Sequence, residues 1–409
     1  MRRNLLLVLL LLTLMLTSTG AALAQSGSEP FCGELSDADC TILADSQKAM
    51  MDVESLTTGG EITLKVAGIP NAPVEELAFN IAHDTVIALD PTVVKGLTEM
   101  QAQLATAKPA DLQALMQDYT DLVVKLYSTL GVDLNLTVTL PQEIADLLTE
   151  QAGGGVKVPT EIKVKLRMVD GYLYVNLDDL AESIPELQEF KGWFGADVAS
   201  FIRKALDQAN LQQASAASGA ELQAGLGAGT FLSSEQFRKM IDQYVAVERK
   251  EDSEVGDQKV AVFGTSFDFG GFVASEAFQD MLKGQLDMIN KVGEQQISPQ
   301  ELDEGLLALK FLGPSLFQSL KFEIVKNVGV EDNYIYRSET HFNWDLKTIM
   351  GFVAMAQGGG KSPAMPKTAP VINFDVQTDY NDFNAAPAIE KPEDAIIIPL
   401  DQVDLNSIQ

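Results

Sequence analysis

Two cysteines and two histidines are all the chain offers for thiol, imidazole or zinc chemistry. Cys32 and Cys40 stand in the stretch "PFCGELSDADC". A redox pair normally has two intervening residues and a thiol pKa lowered by its surroundings; the spacing here is wider. A structural bridge is the expectation, and a reactive thiol pair is the alternative. Closing so short a loop stabilises by only ~2.5 kcal/mol in the chain-entropy account. It would pin the helix that Ser36-Asp37-Ala38-Asp39 starts as a capping box. His83 lies on the apolar row of a strand and reads as a satisfied core residue. His341 shares parity with Arg337, Glu339 and Asn343 and reads as exposed. The two have no spacing that suggests a dyad. Asp178-Asp179 and Glu251-Asp252 could act as paired carboxylates or hold calcium, but acidic pairs at strand ends are usually solvated. Gly153-Gly154-Gly155 and Gly358-Gly359-Gly360 follow helical patterns and read as helix stops. No G-x-S-x-G elbow, P-loop, dinucleotide fingerprint or H-E-x-x-H occurs. Neither a cofactor nor a metal is expected.

Compartment follows from the N-terminus. Met1-Arg2-Arg3, the apolar run Leu5 to Leu16 and the small residues ending Ala22-Leu23-Ala24 form a secretory signal peptide over 1–24. The run is shorter than the roughly 20 residues of a spanning helix. A bacterial lipobox needs a cysteine directly after the small residues, and Gln25 stands there. The expectation is therefore a secreted, extracytoplasmic protein, cleaved near Ala24 and without a stable membrane anchor. The 409 residues carry a net charge of −29, with 46% hydrophobic and 21% charged residues. That composition is globular. Its charge repels nucleic-acid phosphates and anionic membrane surfaces.

The elements that must position these residues are mostly strands with one apolar face. Val132 to Leu140 alternates without a fault, apolar at even positions. Ile62, Leu64 and Val66 alternate likewise, as do Leu77, Phe79, Ile81, Ile87 and Leu89, and Ile372, Phe374, Val376 and Tyr380. In "IKVKLRMVDGYLYVNLD" the Asp170-Gly171 turn fixes a hairpin register. Met168 then opposes Leu173, Leu166 opposes Val175, and Val164 opposes Leu177. Two further hairpins join Tyr244–Glu251 with Lys259–Phe269, and Leu320–Lys326 with Tyr334–Phe342. Strands of this kind form an antiparallel sheet covered on one side. Amphipathic helices are expected over 109–130, 275–292 and from Ser298-Pro299 onward, with shorter ones at 92–107, 141–152 and 194–212. Segments 212–230 and 357–370 are rich in small residues and read as flexible connections within a single domain, 25–409. Helical stripes and sheet face must bury each other. They either close into an ordinary core or leave an apolar gap suited to an acyl chain, since each buried CH₂ contributes ~0.8 kcal/mol.

Three stretches carry a resemblance: "DGYLYVNLDDL" followed by "FKGWF", "YVAVERKEDSEVGDQKVAVFGTSFDF", and "INFDVQTDYNDFNAAPAIEKPEDA". In order and pattern the chain resembles the LolA-like half-barrels of secreted lipid and lipoprotein carriers, in particular the LppX/LprG type. The resemblance implies an α+β fold: a large, curved antiparallel sheet, an incomplete β-barrel, wrapped around several amphipathic helices. It also implies a non-enzymatic carrier whose partner is a lipid or a lipoprotein acyl chain. Apolar parity then nominates Phe79, Phe278, Met281, Leu282, Phe311, Leu312 and Phe374 as cavity residues. The alternative is an extracytoplasmic interaction or scaffold module with a closed core. The chain departs from the lipoprotein members of that type in lacking the lipobox.

Overall fold

The computed structural model describes residues 30–69, 74–107, 111–151, 157–184, 188, 191–206, 235–292, 299–357 and 369–399. The leader and its cleavage site, the Ser298 cap, both glycine triplets, segment 212–230 and all but the ends of 357–370 lie outside these residues.

One sheet holds the described strands, and it is built as two meanders set back to back. The first runs β1 (Ser55–Ala67), β2 (Glu76–Ala88), β3 (Gly131–Thr139), β4 (Glu161–Val169), β5 (Tyr172–Asn176) and β6 (Trp193–Asp197). The second comprises β7 (Val245–Arg249), β8 (Ser253–Val255), β9 (Gln258–Phe267), β10 (Lys321–Gly329), β11 (Ile335–Asp345) and β12 (Val371–Asn381). They join where β1 pairs antiparallel with β12, from Thr57 opposite Asn381 to Ala67 opposite Val371. Strands that precede and strands that follow segment 212–230 in the chain thus share one sheet. Among the described residues its two ends do not pair with each other, so it is an open sheet and not a closed barrel.

The Asp170-Gly171 turn forms as its chemistry requires, with φ 53° and 80°. Leu166 opposes Val175 and Met168 opposes Leu173, as expected. The expected pair Val164–Leu177 does not form, because β5 stops at Asn176. There the Asp178 carboxylate accepts from Asn176 Nδ2 (2.8 Å) and from the Gly192 N–H (2.7 Å), turning the chain into a helix. A second departure follows. Residues 193–197 are strand β6, where a helix over 194–212 was expected; the helix occupies 198–206. Gly195 lets this strand lie close against β5, because a Cβ there would be 2.6 Å from the Tyr174 ring. A third departure is β13 (Ile396–Ile398), which pairs parallel to β6. It ends a tail that crosses the back of the sheet: Asn384 N–H bonds Ser55 O, and Arg167 Nη1 donates to Glu390 O (2.9 Å).

Helices cover the other face, termed the inner face. In the first half they are α1 (Asp37–Met51), α2 (Pro91–Thr106), α3 (Leu112–Thr129), α4 (Gln142–Gln151), α5 (Asp178–Ser183) and α6 (198–206). In the second they are α7 (Glu235–Asp242), α8 (Phe269–Ala274), α9 (Glu276–Val292), α10 (Pro299–Phe317) and α11 (Lys347–Gln357). Helix α1 begins as read from sequence: the Ser36 hydroxyl accepts from Asp39 N–H, and Cys32 is bonded to Cys40. Its apolar side seals one region, where Leu43 meets Val247, Ala261, Phe263 and Val328, and Met50 meets Leu56. A second sealed region lies under α3, α5 and α6, where Leu134, Leu166, Met168, Leu173 and Val175 pack together. Each such fully buried side chain contributes about 2 kcal/mol.

Candidate functional site

Between these two sealed regions the inner face is apolar but only half-buried. Cross-strand register assembles it row by row. Phe322 opposes Phe342, which opposes Phe374, then Leu64, then Phe79. The next row runs Ile324, Thr340, Val376, Ile62, Ile81 and Val138. All of these side chains remain half-buried. Directly opposed residues on one face have Cβ atoms ~5 Å apart, so each row is a continuous surface.

An aromatic cluster extends the first row onto the helices. Phe322 meets Phe269 edge-on at 5.9 Å, Phe269 meets Phe267 at 4.6 Å, and Phe267 meets Phe272 at 5.4 Å. Phe278 of α9 packs on Phe272 at 5.0 Å. At the other side Trp344 stacks on Phe317 of α10 at 5.6 Å and donates from Nε1 to Leu316 O. The structure therefore connects three sequence-nominated residues, Phe79, Phe374 and Phe278, through one run of side chains. Met281 and Leu282 lie half-buried on α9 beyond Phe278.

Phe311 and Leu312 are a correction. Phe311 is 71% exposed and Leu312 38% exposed, so neither is buried against the sheet. Helix α10 carries apolar residues on every side, so parity alone could not choose its buried stripe. That stripe is set by Leu306 and Gly313, and a Cβ on Gly313 would meet Val273 Cγ1 of α8 at 2.8 Å.

The candidate polar residues lie apart from one another. His83 sits on the inner face with its ring over Gly60, where an added Cβ would be 2.7 Å from His83 Nε2 and 2.3 Å from Gln377 O. Burial, opposed by the Asp84 charge, holds its imidazole below the usual histidine range. His341 is on the outer face, bonded through Nδ1 to Asp375 Oδ1 at 2.9 Å. No dyad forms. Asp178 braces a turn, and those hydrogen bonds hold its carboxyl below the ordinary value. Asp252 pairs with Arg249. Among the described residues no cluster of His, Cys, Asp or Glu could hold a metal ion. A separate open groove of about 450 Å³ lies at the sheet's rim between Gly256, Asp332, Tyr334 and Phe383. Its lining is polar and aromatic, with Tyr336 Oη donating to Asp332 Oδ2.

One polar interruption of the inner face was missed in the sequence. Lys326 occupies an even position of β10, in line with Phe322, Ile324 and Val328. A lysine inside an otherwise apolar period-two row was the signal. Burial holds its ammonium below the usual lysine range.

No family profile matches the sequence, and no curated protein is similar to it. Among solved structures, the Mycobacterium tuberculosis lipoprotein LppX is similar over 87% of this chain and 100% of its own, at 8% identity and TM-score 0.27. LprF from Mycobacterium bovis is similar over 86% of this chain and 95% of its own, at 8% identity and TM-score 0.27. A DUF1329 family protein from Desulfovibrio piger aligns over 90% and 98%, at 8% identity and TM-score 0.18. Likeness this loose carries no residue role from those proteins to this chain.

Proposed function

We propose that the protein is a non-enzymatic binding protein that takes an acyl chain of a lipid or lipoprotein on the inner face of its sheet. The half-burial of the Phe322–Phe342–Phe374–Leu64–Phe79 row carries this reading. Soluble proteins rarely leave so extended an apolar surface without an occupant. An acyl chain fits it without directional bonding, at ~0.8 kcal/mol for each CH₂ removed from water. A closed-core scaffold would bury these rows as fully as the two flanking regions, and their exposure counts against it. In this reading the chain acts as a single domain, 25–409, released outside the cytoplasm after cleavage near Ala24. The Cys32–Cys40 bridge suits an oxidising compartment. Among the described residues no helix is long and apolar enough to cross a membrane. The test is native mass spectrometry of protein purified from its own source, with lipid analysis of the organic extract. Bound lipid at stoichiometric yield is expected; an apo mass in every preparation, with no lipid extracted, overturns the reading.

A further inference from the structure

Lys326 is an anomaly of charge. The chain has 58 acidic residues against 29 basic ones, and partly buried cations elsewhere find carboxylates: Arg249 bonds Asp39, Arg337 bonds Asp379, and Arg167 bonds Asp133. Among the described residues none provides an ion pair or hydrogen bond to Lys326. Its neighbours by register are Phe263, which is 1% exposed, and Ser338. The diagonal positions are Thr265 and Thr340, opposite Ile324 on either side. A desolvated ammonium flanked by hydroxyls and lacking a counter-charge is costly unless an anion from outside completes it.

Resting on the reading above, we propose that Lys326, with the hydroxyls of Ser338 and Thr340, binds the anionic headgroup of the amphiphile whose chain lies on the apolar rows. The geometry is suitable. Along β10 the row Phe322–Phe342–Phe374 begins four residues from Lys326, about 13 Å away at the strand rise. A carboxylate or phosphate at Lys326 therefore lets the first part of its chain run over Ile324 and Phe322. A charge-assisted bond is among the stronger polar contacts, and here it would form at a half-buried lysine beside the half-buried rows that hold the tail. Carboxylate and phosphate share this chemistry.

Purified full-length protein, its Lys326→Met and Lys326→Arg variants would be titrated with oleate, an oleoyl lysophosphatidate, oleyl alcohol and inorganic phosphate. The wild type is expected to bind at least one anionic oleyl probe roughly tenfold or more tighter than oleyl alcohol; whichever anion is tighter names the headgroup. Lys326→Met should erase that preference, leave oleyl alcohol binding unchanged, and raise the urea midpoint of the unliganded protein. Lys326→Arg should keep the preference. Equal affinity for anionic and neutral probes, or a preference that survives Lys326→Met, overturns the headgroup site and leaves the acyl-binding face standing. Failure of every oleyl probe to bind overturns both. Inorganic phosphate bound as tightly as the lysophosphatidate would make this a free-anion site and overturn the amphiphile.

Discussion

His83 shows how one side chain links burial, backbone and pH. Its ring lies across Gly60, the one residue type whose lack of a Cβ leaves that space. Burial lowers its pKa from 6.5. The sign follows: the unfolded chain takes up a proton as pH falls through 6.5, while the folded chain resists it, so stability declines on acidification. The urea midpoint of the wild type should fall more between pH 7 and pH 5 than that of His83→Gln. Parallel profiles for the two proteins would contradict the assignment. The cysteines make a second prediction at this scale. The double variant Cys32→Ser/Cys40→Ser should lose ~2.5 kcal/mol of stability and hydrogen-exchange protection in the first turn of α1. An unchanged denaturation curve would show that the bridge is dispensable. Parity read Phe79, Phe374 and His83 correctly as inner-face residues, because a strand has only two faces. It could not orient Phe311, because α10 carries apolar residues on every side and Gly313 makes its close contact with α8.

At the scale of elements, agreement between two independent signals marks what the sequence made legible. The Asp170-Gly171 turn and the apolar alternation both point to one register, and β4–β5 adopts it. Strand β6 was hidden because it is five residues long and runs directly into a helical segment. Its partner β13 was hidden because it depends on a long-range return of the tail, which local pattern does not encode. That tail is an element with a testable role. Ile397 Cδ1 would lie 2.8 Å from a Cβ on Gly195, and Glu390 O accepts from Arg167. Truncation after Ala385 leaves β6 as an unprotected edge. The amides of Phe194–Ala196 should then lose protection while those of β9 and β10 keep theirs. Unaltered exchange at β6 would show that the tail does not brace the sheet.

For the whole molecule, the central feature is an open sheet sealed in two places and half-covered between them. Alternation along strands predicted a one-sided sheet. It could not say whether the helices would close over it, since that depends on how far α8 to α10 stand from β10 to β12. The chain's two tryptophans report on the two faces separately. Trp344, on the inner face opposite Ile372, stacks on Phe317. Trp193 lies on the outer face under the Arg167 guanidinium. Titrating the single-tryptophan variants Trp193→Phe and Trp344→Phe with a fatty acid brominated on its chain is therefore the most direct test. Bromine quenches only at close range, so saturable quenching of Trp344 with Trp193 unaffected is the predicted result. No quenching of Trp344, or equal quenching of both, would contradict an acyl chain on the inner face.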